Sequence, residues 1–164
     1  MLGPDNAIWD DGEWVSWDDI SQQIQYKEWG AKYPKADRAL IPIFENLLSA
    51  AEWYYNETGR HLQVYGDIGE LFCAITHGMK LNRNYAPGSD GRLGNDHIEV
   101  KTITPFKNSD VVEVKASGNF NKLFVVRINA DFEISGRMID RKKLPAPKGG
   151  KYRIGWSQIN SQAT

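Results

Sequence analysis

Asp96-His97-Ile98-Glu99-Val100-Lys101-Thr102-Ile103 reads as one β-strand whose two faces carry different chemistry. Side chains alternate along a strand, so Ile98 and Val100 point one way while His97, Glu99 and Lys101 point the other. The first face suits a hydrophobic core, and the second sets a carboxylate beside an ammonium. Nine residues before Glu99, Asp90 stands in Pro87-Gly88-Ser89-Asp90-Gly91, where two glycines allow a tight turn. From such a turn the Asp90 carboxylate can swing toward Glu99. Two carboxylates brought together repel unless they are protonated or bridged, and a hard divalent cation with oxygen ligands stabilises both as anions. Mg²⁺ keeps several waters and takes only one or two protein carboxylates, so Asp90, Glu99 and the carbonyl of Val100 make a sufficient ligand set, with Mn²⁺ as the alternative ion. Lys101, beside the ion, would orient or help deprotonate an attacking water, or balance charge on phosphorus.

Outward from this strand, period-two stretches continue at 97–104, 111–116, 122–129 and 132–140. The clusters Asn108-Ser109-Asp110, Ser117-Gly118-Asn119 and Asn129-Ala130-Asp131 supply the turns between them. Upstream the period changes. Leu40, Ile43, Phe44, Leu47, Leu48, Ala51 and Tyr55 recur at helical steps within about 35–56, with Pro42 tolerated near the start and Gly59 as the stop. A second helix is expected over about 62–77, with Ile68, Leu71, Phe72, Ile75 and Met79 as its apolar stripe and Gly78 ending it. Ser16, followed by Asp18 and Asp19, predicts a capped helix to about Trp29, and Trp9, Trp14 and Trp17 are expected to dock on the body. The tail, with Pro145, Pro147, Gly149 and Gly150, reads as a loop before a short closing segment at 154–159. Helices packed on a mixed or antiparallel sheet follow, an α/β (α+β) class. The chain divides into a Trp-rich helical extension, 1–34, and a single domain, 35–164.

An aspartate, then Glu-x-Lys on the next strand, resembles the PD-(D/E)XK superfamily, the restriction-endonuclease-like nucleases; here the pattern reads Ser89-Asp90 and Glu99-Val100-Lys101. That family often adds a glutamate from a preceding helix, and Gly66-Asp67-Ile68-Gly69-Glu70-Leu71 is similar to its Gly-Glu helix segment. By resemblance Glu70 joins Asp90, Glu99 and Lys101 as a catalytic residue and a metal ligand. The resemblance covers roughly 62–130, and Pro87 stands three positions before Asp90 instead of adjoining it. It implies a central mixed sheet flanked by helices and hydrolysis of phosphodiester bonds, as in a restriction, repair or mobile-element endonuclease. Two rivals use the same letters. Glu113-Val114-Lys115 repeats Glu-x-Lys, but its upstream Asp110 is too close to lie on a separate strand, and alternating Glu and Lys also marks a solvated face. Asp96 lies an odd number of residues from Glu99 and so faces the opposite way.

The chain has 164 residues, 41% hydrophobic and 25% charged, the usage of a folded globular domain. No run approaches the ~20 apolar residues that span a bilayer, the start lacks a signal-peptide pattern, and the lone Cys73 cannot form an intrachain disulfide; a cytoplasmic setting is expected. A net charge of −1 hides a division along the chain. Residues 1–79 hold 5 Lys and Arg against 13 Asp and Glu, whereas 80–164 hold 15 against 8. Phosphate backbones are bound through Lys and Arg, so nucleic acid is expected on the basic half, at Arg92, His97 and Arg141-Lys142-Lys143. A solvated basic tail and a structural histidine are the plainer alternatives. DNA is the expected substrate, with RNA and a homodimer left open, and the acidic half is a candidate surface for a protein partner. The reading from another class is a catalytically inactive nuclease-fold protein that binds nucleic acid or protein.

Overall fold

The computed structural model describes residues 1–84 and 86–160. The chain opens with strands β1 (Ala7–Asp10) and β2 (Glu13–Ser16), paired antiparallel, and then helices α1 (Trp17–Lys32), α2 (Leu40–Thr58) and α3 (Tyr65–His77). Six strands of the main body follow: β3 (Lys80–Leu81), β4 (Gly91–Leu93), β5 (Asp96–Ile103), β6 (Val111–Lys115), β7 (Lys122–Ile128) and β8 (Ile134–Asp140). A short 3₁₀ turn at Arg141–Lys143 leads to β9 (Lys151–Gly155).

Strand β7 is covered on both faces: Leu123, Phe124, Val125 and Val126 are all buried, the continuous apolar run that such a strand requires. It runs parallel to β5 and antiparallel to β8, and the sheet order is β3-β4-β5-β7-β8, a five-stranded mixed sheet. On one face, Ile98, Val100, Phe124 and Val126 meet the apolar stripes of α2 and α3, including Ile41, Phe44, Ile68 and Ile75. On the other, Ile103, Leu123 and Val125 meet Val112, Val114 and Ile154 from the β6–β9 ribbon. The result is a three-layer α/β arrangement, helices over sheet over ribbon. Among the described residues, no helix is long and apolar enough to cross a membrane.

The expected helices form, but α2 begins five residues and α3 three residues later than the sequence suggested. Ser16 caps α1 by accepting from the Asp19 N–H at 3.0 Å, and Gly59 and Gly78 end α2 and α3 in the left-handed conformation with φ of 69° and 75°. Pro42 sits in the first turn of α2, where a missing N–H breaks no helical bond. Two expectations fail at the N-terminus. Residues 7–16 form a hairpin not anticipated from the sequence, and its tryptophans do not dock on the body: Trp9, Trp14 and Trp17 are 61%, 36% and 49% exposed. Trp9 and Trp14 pack on each other instead, edge to face across the hairpin with centroids 5.4 Å apart. Helix α1 has no buried residue, and the segment is anchored near its C-terminal end, where Trp29 and Tyr33 join the core and the Arg38 guanidinium lies 4.0 Å over the Tyr26 ring.

Candidate active site

Asp90 is placed by the backbone ladder. Its N–H donates to the Ile98 carbonyl (2.9 Å) and its carbonyl accepts from the Asn82 N–H (2.9 Å), so the residue continues β4 by one position. The pairing of β4 with β5 begins at Gly91 opposite Ile98, and beyond that point the β5 edge is open to the Asp90 side chain. Asp90 Oδ2 fills the gap by accepting from the Val100 N–H at 2.7 Å. In a strand the N–H and C=O of one residue point to the same side, so the Val100 carbonyl projects toward the Asp90 side as well. The preceding loop is tied down: Asn82 Nδ2 donates to the Ser89 carbonyl (3.2 Å) and Oγ (3.1 Å), and His97 Nδ1 lies 3.5 Å from that hydroxyl.

Glu99 and Lys101 share the face of β5 that looks toward the ribbon, and Lys101 Nζ sits 3.2 Å from Glu99 Oε1. With Asp90 they line a cleft of about 560 Å³ whose far wall carries Glu113, Lys115 and Lys151. Glu70 reaches the same neighbourhood from the helical layer without lining the cleft. A side chain at Gly69 would collide with Thr102 Oγ1 and crowd Val100, so the glycine is what lets α3 lie directly on β5. The next residue in the helix, Glu70, comes within electrostatic range of Asp90, Glu99 and Lys101.

The electrostatics are those of crowded anions. Burial raises the pKa of Glu70 to about 7, with Asp90, Asp67 and Glu99 adding to the effect and Lys101 opposing it. Burial also raises Asp90, against the Val100 N–H bond and Lys101, and it raises Glu99, reinforced by Asp90 and opposed by Lys101. Each carboxylate is thus less willing to ionise than in water, and Lys101 is the cation that opposes the rise in all three. Even the buried Cys73 thiol is pushed up to about 12, by burial and then by Asp90, so it stays protonated and is no nucleophile. An all-oxygen donor set short of positive charge is what a hard divalent cation requires. Among the described residues, no three His, Cys, Asp or Glu side chains converge as a formed metal cluster. Asp90 and Glu99 bring carboxylate oxygens to this edge of β5, and Glu70 is coupled to both through charge.

The other expected contacts separate. Arg92 is directly opposite His97 in the β4–β5 ladder, on the Glu99 face, and is exposed. His97 is partly buried, with its ring beside Ser89 and its backbone N–H donating to Asn121 Oδ1 at 2.8 Å, so it buttresses the Asp90 loop. Arg141 is turned inward: its guanidinium donates to the carbonyls of Ala116 (2.6 Å), Gly118 (2.7 Å) and Phe120 (3.1 Å). Lys142 lines a neighbouring groove that shares Phe120 with the cleft, and Lys143 lies farther round, beside Ile139 and Asn160. Asp96 pairs with Lys122 at 3.4 Å, outside the cleft. What the sequence reading missed is the far wall: Glu113 and Lys115, set aside as a solvated strand face, come to the same cleft as Glu99 and Lys101.

The chain matches no family model and no curated protein.

Proposed function

We propose that the chain is a metal-dependent nuclease of the PD-(D/E)XK, restriction-endonuclease-like kind, hydrolysing phosphodiester bonds of DNA. The observation that carries this reading is the meeting of Asp90, Glu99 and the Val100 carbonyl at the open edge of β5, with Lys101 beside them. Asp90, Glu99 and the Val100 carbonyl would hold a Mg²⁺ or Mn²⁺ ion, which when bound supplies Lewis-acid activation of the phosphate and of water. Asp90, fixed by the Val100 N–H, keeps its second oxygen for a ligand. Lys101 is aimed by Glu99 along the same face and offers positive charge where negative charge develops on the phosphate oxygens. Glu70 adds negative charge from the helix side, which favours a cation in the cleft over none.

Cleavage of supercoiled plasmid and of labelled single- and double-stranded oligonucleotides tests the reading, with Mg²⁺, Mn²⁺ or EDTA and with Asp90→Ala and Lys101→Ala. Metal-dependent nicking lost in both variants is the expected result. A second reading, an inactive nuclease-fold binding module, is favoured by the 3.2 Å closure of Lys101 on Glu99. A folded wild type inert under every metal, binding oligonucleotides equally well after Asp90→Ala, would select it.

A further inference from the structure

Opposite the carboxylates, the far wall of the cleft carries more positive charge than its own contacts neutralise. In the β6–β9 ribbon, Val112, Val114 and Ile154 enter the core, while Glu113, Lys115, Lys151 and Arg153 point outward. Lys115 stands directly across the ladder from Lys151, a like-charge pairing that destabilises a ribbon unless an anion relieves it. Glu113, the one acid on that face of the ribbon, lies 3.7 Å from both Lys151 and Arg153, and among the described residues Lys115 has no carboxylate partner. The backbone adds donors of its own. Ala116 N–H donates to the Gly150 carbonyl, and Trp156 N–H to the Asp110 carbonyl, so the even-numbered positions of β6 face β9. The N–H of Glu113 therefore points away from β9, to the free edge of β6.

This wall is also rigidly built. Arg141 bonds to the carbonyls of Ala116, Gly118 and Phe120 and lies 4.4 Å over the Phe120 ring, fixing the turn that follows Lys115. That turn presses on the Asp90 loop so closely that a side chain at Gly88 would stand 3.0 Å from the Asn119 Cβ. Carboxylates and lysines thus belong to one frame, with a cation-seeking side and an anion-seeking side. We infer that Lys115 and Lys151, with the edge N–H of Glu113, grip a phosphate neighbouring the one at Asp90 and Glu99, so that the backbone of one nucleic-acid strand crosses the cleft between the two walls. This inference rests on the nuclease reading for the chemistry but not for the binding.

Fluorescence anisotropy of labelled single-stranded and duplex DNA with the full chain in EDTA, over a salt series, tests it. Lys115→Gln/Lys151→Gln is expected to bind at least about tenfold more weakly than wild type. The slope of log affinity against log salt falls by about 1.4 for single strands or about 1.8 for duplex, two phosphate contacts' worth. The double variant melts close to wild type, because the exposed Lys151–Glu113 pair it loses is offset by the like-charge pair it removes, and its loss in cleavage appears in KM with kcat retained. Lys27→Gln/Lys32→Gln, on α1, controls for net charge and keeps wild-type affinity. A double variant with wild-type affinity and slope overturns the inference while leaving nuclease activity to stand. A wild type that binds through these lysines but never cleaves upholds the wall and removes the nuclease reading. No binding by wild type removes the wall outright.

Discussion

Replacing Glu70 with Gln should stabilise the metal-free protein at neutral and alkaline pH, an unusual direction for a change at a partly buried site. The Glu70 carboxyl has its pKa raised from 4.5 to about 7, first by burial and then by Asp90, Asp67 and Glu99. Below 4.5 both folded and unfolded chains hold the proton, and stability carries no penalty. Between 4.5 and about 7 the folded chain keeps a proton that the unfolded chain has released, so stability falls as pH rises through that window, and the full penalty applies above it. At about 1.4 kcal/mol per pH unit the ceiling is about 3 kcal/mol. Glu70 is only half-buried, and solvent screening reduces this to about 1–2 kcal/mol. For a chain of this length that is a rise of about 2–8 °C in Tm at about pH 8, shrinking to nothing near about pH 4. Thermal melts of wild type and Glu70→Gln across that range, in EDTA, measure it. A difference that is flat with pH, or a variant that melts lower at about pH 8, would refute the placement of Glu70 among crowded anions.

Three further outcomes follow from the packing. Gly69→Ala should cost about 1–3 kcal/mol, because its Cβ meets Thr102, and Thr102→Ala in the same chain should recover most of the loss in a chemical-denaturation series. Arg141→Lys cannot reproduce a planar fork to three carbonyls and should lower stability by about 2 kcal/mol, read as a drop in Tm of about 4–8 °C. Acrylamide should quench much of the tryptophan fluorescence, and Trp9→Phe/Trp14→Phe should remove only part of that accessible fraction, since Trp17 and Trp53 stay exposed, with little change in the midpoint of unfolding.

What could be read from the sequence was local and periodic. The faces of β5, the stripes of α2 and α3 and their glycine stops depend on residues a few positions apart, and they appear as expected. The N-terminal hairpin was legible but overlooked: Asp11-Gly12 between Trp9-Asp10 and Glu13-Trp14 is a two-residue turn signal, and both turn residues have positive φ, 41° and 92°. The roles of Glu113, Lys115 and Arg141 were not legible. Alternating Glu and Lys looks the same on a solvated strand and on a cleft wall, and only the folding of the ribbon over the sheet decides between them. Arg141, in a run of three basic residues, resembles a surface patch until the turn at 116–120 closes around its guanidinium. Glu70 lies well away from the centre of the helix's apolar stripe, where periodicity alone points it to solvent, and its nearness to Asp90 and Glu99 depends on the close approach that Gly69 permits.

Whether Asp90 and Glu99 hold a divalent cation can be decided by titrating Mn²⁺ into the metal-free protein and following the free ion by electron paramagnetic resonance. Loss of free-ion signal in proportion to wild-type protein is expected, with that binding abolished by Asp90→Asn and by Glu99→Gln. Mn²⁺ left free in the presence of folded wild type, or bound equally by both variants, would contradict it.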